Sequence, residues 1–178
     1  MNEKFLNKDY SIKNSFSENI FNLIIFIPIV SFIVGFFLDE NSAGSGDYLA
    51  DIDWIKNNIY IFLNNDLLDA IFHPDLYGNR PPLIYILNKF LNPFFSDFEK
   101  YRITVFSLSL LGPIFFYNLL RIKFNLTDKR VLFLISSLIY LSPYYRSSAY
   151  WGGNENYGLI TMILSFLFLV KFFNNEKK

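Results

Sequence analysis

An all-α, polytopic transmembrane fold of about four spans is what this sequence predicts, on three observations. Apolar residues make up 52% of the 178 positions and are bunched in long blocks, whereas a soluble fold spreads them at helical or strand period among polar ones. The blocks approach the roughly twenty residues that cross about 30 Å of hydrocarbon. The Lys and Arg of the short flanks fall on one side of the alternating topology. The 16 basic and 16 acidic residues cancel, so no global field recruits nucleic acid. There is no cysteine, which excludes disulfides and zinc–thiolate clusters. No internal repeat divides residues 1–178, and the chain reads as one transmembrane module.

Residues 19–38, "NIFNLIIFIPIVSFIVGFFL", form the first span. A polar tail with Glu3, Asp9 and Glu18 precedes it and no small-residue cleavage pattern follows, which argues against a signal peptide. An outer loop, 39–100, comes next. Within it Leu49, Ile52, Ile55, Ile59, Phe62 and Leu63 recur at steps of three and four, one face of an amphipathic helix suited to the membrane interface. A second interfacial helix, 82–91, is bounded by Pro81-Pro82 and Asn92-Pro93. A turn with His73, Asp75, Tyr77, Asn79 and Arg80 joins the two. Ser96 and Glu99 have the Ser-x-x-Glu spacing of a capping box ahead of the second span, 101–120. The third span, 131–145, is kinked or broken at Pro143, and the fourth is 157–173. Lys4, Lys8 and Lys13, then Arg121, Lys123, Lys129 and Arg130, then Lys171, Lys177 and Lys178 share one side. The positive-inside rule makes that side and both termini cytoplasmic, and leaves the loop 39–100 and the turn 146–156 outside.

Five carboxylates lie between positions 39 and 53. Asp39 and Glu40 read as the hydrated end of the first span. Asp47, after the flexible "SAGSG", is either a helix N-cap or a base at the membrane face. At about 100° per residue Asp47 and Asp51 share one edge of the amphipathic helix and Asp53 takes the other. A single histidine, His73, makes a multi-histidine metal site impossible and reads as a structural hydrogen-bonder. Arg80 and Arg146, beside aromatic and Gly/Pro residues, can clamp a phosphate with two parallel hydrogen bonds or snorkel to lipid headgroups. Trp151 and the tyrosines at 144, 145 and 150 read as interface anchors. Glu155, in "WGGNENYG", returns to the same face as Asp47, so two acidic loops converge.

Taken together, "LDENSAGSGDY", "HPDLYGNRPPLIYILN" and "LSPYYRSSAYWGGNENYGL", in this order after a first span, resemble the GT-C class of integral-membrane glycosyltransferases. The likeness is to the branch grouped with protein mannosyltransferases and lipid A aminosugar transferases. The resemblance implies transfer of a sugar from a polyprenyl-phosphate-linked donor to a lipid, glycan or protein acceptor outside the cytoplasm. It places the first-loop base or acceptor-orienting carboxylate on Asp47, then on Asp39 or Glu40. Independently of the resemblance, Asp51, Arg80, Arg146, Trp151 and Glu155 are the residues expected to bind substrate. Some relatives hold a divalent metal through acids of both outer loops, here Asp47 and Glu155, and no other cofactor is implied. The class has many more spans, so the chain is expected to be an amino-terminal module, with a partner or further sequence supplying the rest. The alternative is a noncatalytic four-span protein that binds lipid phosphate or scaffolds a partner. A transporter fits less well, because no predicted span carries a charge near its middle.

Overall fold

The computed structural model describes residues 23–40, 48–76, 82–124 and 128–176, with side chains at all of these except 48–51, 175 and 176. Every regular element among them is helical: α1 (Leu23–Phe37), α2 (Tyr48–Asn64), α3 (Leu67–Ile71), α4 (Leu83–Leu91), α5 (Phe98–Ser109), α6 (Leu111–Phe124), α7 (Lys129–Ser137), a 3₁₀ turn η1 (Leu138–Leu141), α8 (Pro143–Trp151) and α9 (Glu155–Glu176). Phe98–Phe124, which joins α5 and α6, and Glu155–Asn174 are long and apolar enough to cross a membrane, and Leu23–Phe37 is a shorter apolar helix.

The second apolar segment starts earlier than its hydropathy suggests. Asp97, and not Ser96, is its N-cap, accepting from the backbone N–H of Glu99 (3.1 Å) and Lys100 (3.3 Å). The carboxylate satisfies two of the free donors of the first turn, one position later than the Ser-x-x-Glu spacing predicts. Between α5 and α6, Pro113 has no N–H to offer the Ser109 carbonyl four residues back. That carbonyl instead accepts from the Tyr145 hydroxyl, and the neighbouring Leu110 carbonyl accepts from Tyr140 Oη at 2.9 Å. The third segment is broken: α7 tightens into η1, and Ser142 then caps α8 with Pro143 at its first position. The helical path so continues to Trp151 instead of stopping at residue 145.

Of the expected apolar face of α2, Ile52, Ile55, Ile59 and Phe62 are buried, Leu63 turns outward, and the Leu49 side chain lies outside the described residues. Protein covers that face: Phe62 stacks on Tyr85 of α4 with ring centroids 5.7 Å apart, and Tyr101 and Val105 of α5 close the cluster with Phe95. Leu83, Leu87, Phe90 and Leu91 of α4 face outward instead. The predicted helix 82–91 is α4, one residue shorter, and α3 was not foreseen. In the connection before α4, His73 accepts the Asp75 backbone N–H at Nδ1 (3.2 Å), the structural role expected of it.

A second core is aromatic. Phe32 of α1 lies 4.6 Å from Tyr140, 5.2 Å from Phe106 and 5.3 Å from Tyr150 between centroids, and Phe36 stacks on Phe106 at 4.1 Å. These rings bind α1 to α5, η1 and α8. As a result, the end of α1, the start of α5 and the end of α8 meet at one end of the bundle.

Candidate functional site

The site begins with how α1 stops. Asp39 N–H donates to Phe36 O (3.3 Å) and Glu40 N–H to Gly35 O (3.0 Å), and Asp39 has φ +50°. This is the paired-bond helix terminus that normally places glycine at the left-handed position. Holding aspartate there costs on the order of 1 kcal/mol, and backbone strain of this kind survives only where surrounding contacts fix it. Here they do. Asp39 Oδ1 accepts from Arg102 Nη2 at 2.6 Å.

Glu40, the next residue, faces Arg146 two-pronged: Nε donates to Oε1 at 3.1 Å and Nη2 to Oε2. Arg146 Nη1 also donates to Ser31 Oγ (3.1 Å) and Tyr140 O (3.2 Å), and Nη2 to Ser31 O (3.1 Å). A guanidinium has five N–H donors, and all five are engaged. Arg146 is 6% exposed, and its charge lies 5.5 Å from the Tyr150 ring centroid. Gly35 makes the approach possible, because a Cβ there would fall on Glu40 Oε2, Arg146 Nη2 and Tyr150 Oη.

Arg102, 7% exposed, is the second buried cation. Its Nε donates to Tyr150 O (2.6 Å) and its Nη1 to Glu99 Oε2 (3.2 Å), and its guanidinium lies 4.5 Å from the Trp151 ring centroid. Trp151 Nε1 donates to Glu40 O at 3.3 Å, so the indole touches both ion pairs. Gly152 then ends α8 at φ +78°, a left-handed position that only glycine takes freely, against the Tyr101 ring.

Of the predicted site residues, Asp39, Glu40, Arg146 and Trp151 come together. Asp39 and Glu40 end the first helix as expected, yet they are not simply hydrated: their side chains are 64% and 39% exposed, each with one edge on a buried guanidinium. Arg146 does not snorkel. It lies inside the third helical segment because that segment runs past Pro143. Glu155 opens α9 and is exposed. Asp47 and Arg80 lie outside the described residues, and Asp51 is placed only as backbone in the first turn of α2. Among the described residues no group of three or more His, Asp or Glu could hold a metal ion, and Asp47, the expected first-loop ligand, is not one of them.

Tyr145 and Tyr150 are buried and donate to Ser109 O and Phe32 O, so of the three tyrosines read as anchors only Tyr144 stands exposed. Arg102, Ser31 and Asn156 were missed. A lone arginine in an apolar segment was the available signal for the first. Asn156, buried, donates to Ser109 Oγ and Tyr145 O, both at 2.9 Å, and nothing in its local pattern marks it. No family model matches the chain, and no curated protein or solved structure is significantly similar to it.

Proposed function

We propose that this chain is a membrane glycosyltransferase, or the amino-terminal module of one, which moves a sugar from a polyprenyl-phosphate donor to an acceptor outside the cytoplasm. It crosses the bilayer about four times, by α1, α5–α6, α7–α8 and α9. Large apolar side chains exposed on α1, α6 and α9, among them Val30, Ile114 and Phe168, suit lipid contact. The observation that carries the reading is the meeting of Asp39-Glu40 with Arg146 and Trp151. Two segments of the GT-C-like motif, over a hundred residues apart, build one polar site at the end of the bundle away from the basic flanks.

Inverting transfer needs a base for the acceptor hydroxyl and a cation for the charge that collects on the leaving phosphate. Asp47 is the base. Arg146 or Arg80 takes the phosphate. Because all five Arg146 donors are in use, the phosphate enters by exchange with Glu40, since carboxylate and phosphate both fit the bidentate edge of a guanidinium. The Glu40 carboxylate so released is free to turn toward the acceptor. Full commitment of Arg146 within the protein is also the observation that favours the second reading, a noncatalytic membrane protein in which the pair is only a clasp.

Sugar transfer from a polyprenyl-phosphate donor by the complete protein in proteoliposomes separates the two. Asp47→Asn is expected to lower transfer at least about 100-fold, the scale of general-base catalysis, at unchanged thermal stability, because Asn is also a good N-cap. Activity that survives Asp47→Asn, Asp39→Asn and Glu40→Gln alike would leave the clasp reading. Cysteines placed at Ser45 and Asn79, but not at Asn125, should react with an impermeant thiol reagent in intact cells; the reverse labelling would place the acidic end inside.

A further inference from the structure

At the other end of the bundle a groove of about 340 Å³ opens between α1, α6 and α7, lined by Ile25, Phe26, Tyr117, Lys129, Arg130 and Phe133. Its walls are apolar, and Phe26 and Phe133 meet edge to face with centroids 6.1 Å apart. Lys129 and Arg130 are its only charged lining residues among the described residues. Both are exposed, and neither has a carboxylate partner among the described residues. The nearest acid in sequence, Asp128, is turned to the backbone, accepting from the N–H of Arg130 (2.9 Å) and Val131 (3.4 Å) as the α7 cap. Arg121 and Lys123, also exposed, end α6 close by. Phe26 is thirteen residues before Asp39, about 20 Å along the helix, so this groove is separate from the ion-paired site.

We infer that the groove is a binding site for one anionic phospholipid of the cytoplasmic leaflet. The headgroup phosphate lies on Lys129 and Arg130, and an acyl chain lies along Phe26, Ile25 and Phe133. Charge complementarity selects the occupant: two cations over an apolar slot match a molecule that carries one phosphate charge directly above hydrocarbon. A neutral lipid leaves the cations unpaired, and free phosphate leaves the slot unfilled. The inference rests on the bilayer placement proposed above and not on sugar transfer.

The test is native mass spectrometry of the full chain, released from detergent micelles that contain equal phosphatidylglycerol and phosphatidylcholine. The wild type should retain phosphatidylglycerol with a preference of roughly tenfold or more, the scale of two basic groups acting on one anionic headgroup. Lys129→Gln/Arg130→Gln should lose that preference. Arg121→Gln/Lys123→Gln, of equal charge change but outside the groove lining, should keep it. Equal retention of both lipids by the wild type, equal loss in the two double variants, or displacement by inorganic phosphate as effective as by lipid would each overturn the site. Flotation with vesicles is read in parallel: a chain that does not float overturns the bilayer placement and this site together, whereas a floating chain without lipid preference overturns the site alone.

Discussion

At the end of the bundle where α1 stops, Arg102 and Arg146 are 7% and 6% exposed and each grips a carboxylate. At the opposite end Arg121, Lys123, Lys129 and Arg130 are all exposed, and no carboxylate pairs with them among the described residues. Desolvation makes the difference. A guanidinium taken out of water must find donor-for-donor compensation or it is not tolerated, and Arg146 finds five partners. A hydrated cation needs none, and a surface pair adds little where one forms. The buried pairs therefore fix where chain segments lie, while the exposed cations remain available to whatever comes from outside. Charge counted over the whole sequence cancels and shows neither role.

The largest effect should come from breaking the buried end. Arg146→Met leaves Glu40 and the Ser31 and Tyr140 carbonyls without their cation, and should lower unfolding stability in detergent by about 3 kcal/mol, the lower part of the range for a broken buried pair because Glu40 is partly hydrated. Arg130→Gln at the other end should stay within about 0.5 kcal/mol. Similar losses for both would erase the contrast between the ends.

A smaller effect tests the joint between α5 and α6. Tyr145→Phe removes the hydroxyl that serves the Ser109 carbonyl beside Pro113, and leaving that acceptor unmet should cost about 1–2 kcal/mol. Tyr144→Phe, one residue earlier and exposed, is the control and should cost nothing measurable in the same denaturation series.

The smallest effect is at Asp97, where hydrogen bonds from the Lys100 side chain and backbone, with the Lys100 charge, hold the carboxyl below its ordinary value of 3.8. A folded-state pKa below the unfolded one adds stability above the unfolded value, and this is lost as pH falls through the lowered folded one. Asp97→Asn keeps the cap and loses that dependence. Its melting temperature should lie slightly below the wild type near pH 7 and fall less steeply below about pH 4; parallel acid limbs would remove the assignment.

Much of the helical layout was legible. Blocks of apolar residues, the Asn92-Pro93 stop before the second segment and the three-and-four spacing in α2 each act within one or two turns of chain, so they can be read in place. Pro143 marked a break, though not that the helix resumes through Arg146 to Trp151, because a proline that cannot continue one helix is well suited to begin the next. The aromatic residues were the misleading signal. Tyr145 and Tyr150 read as interface anchors, yet with Phe32, Phe106 and Tyr140 they form the second core.

The sequence by itself determined the main helical segments, which flank is basic and which loop is acidic, because backbone propensity, hydrophobic burial and the charge of a flank are local properties. Only the tertiary structure decided that Glu40 belongs to Arg146, 106 residues away, that Asp39 belongs to Arg102, 63 residues away, and that Tyr145 and not water completes the carbonyl beside Pro113. The reason is physical: a buried charge or carbonyl must be met by whichever group the crossing helices bring within about 3 Å. The crossing is set by how the aromatic faces of α1, α5 and α8 pack, and by a bare Gly35 that lets the guanidinium approach, neither of which leaves a periodic trace in the chain.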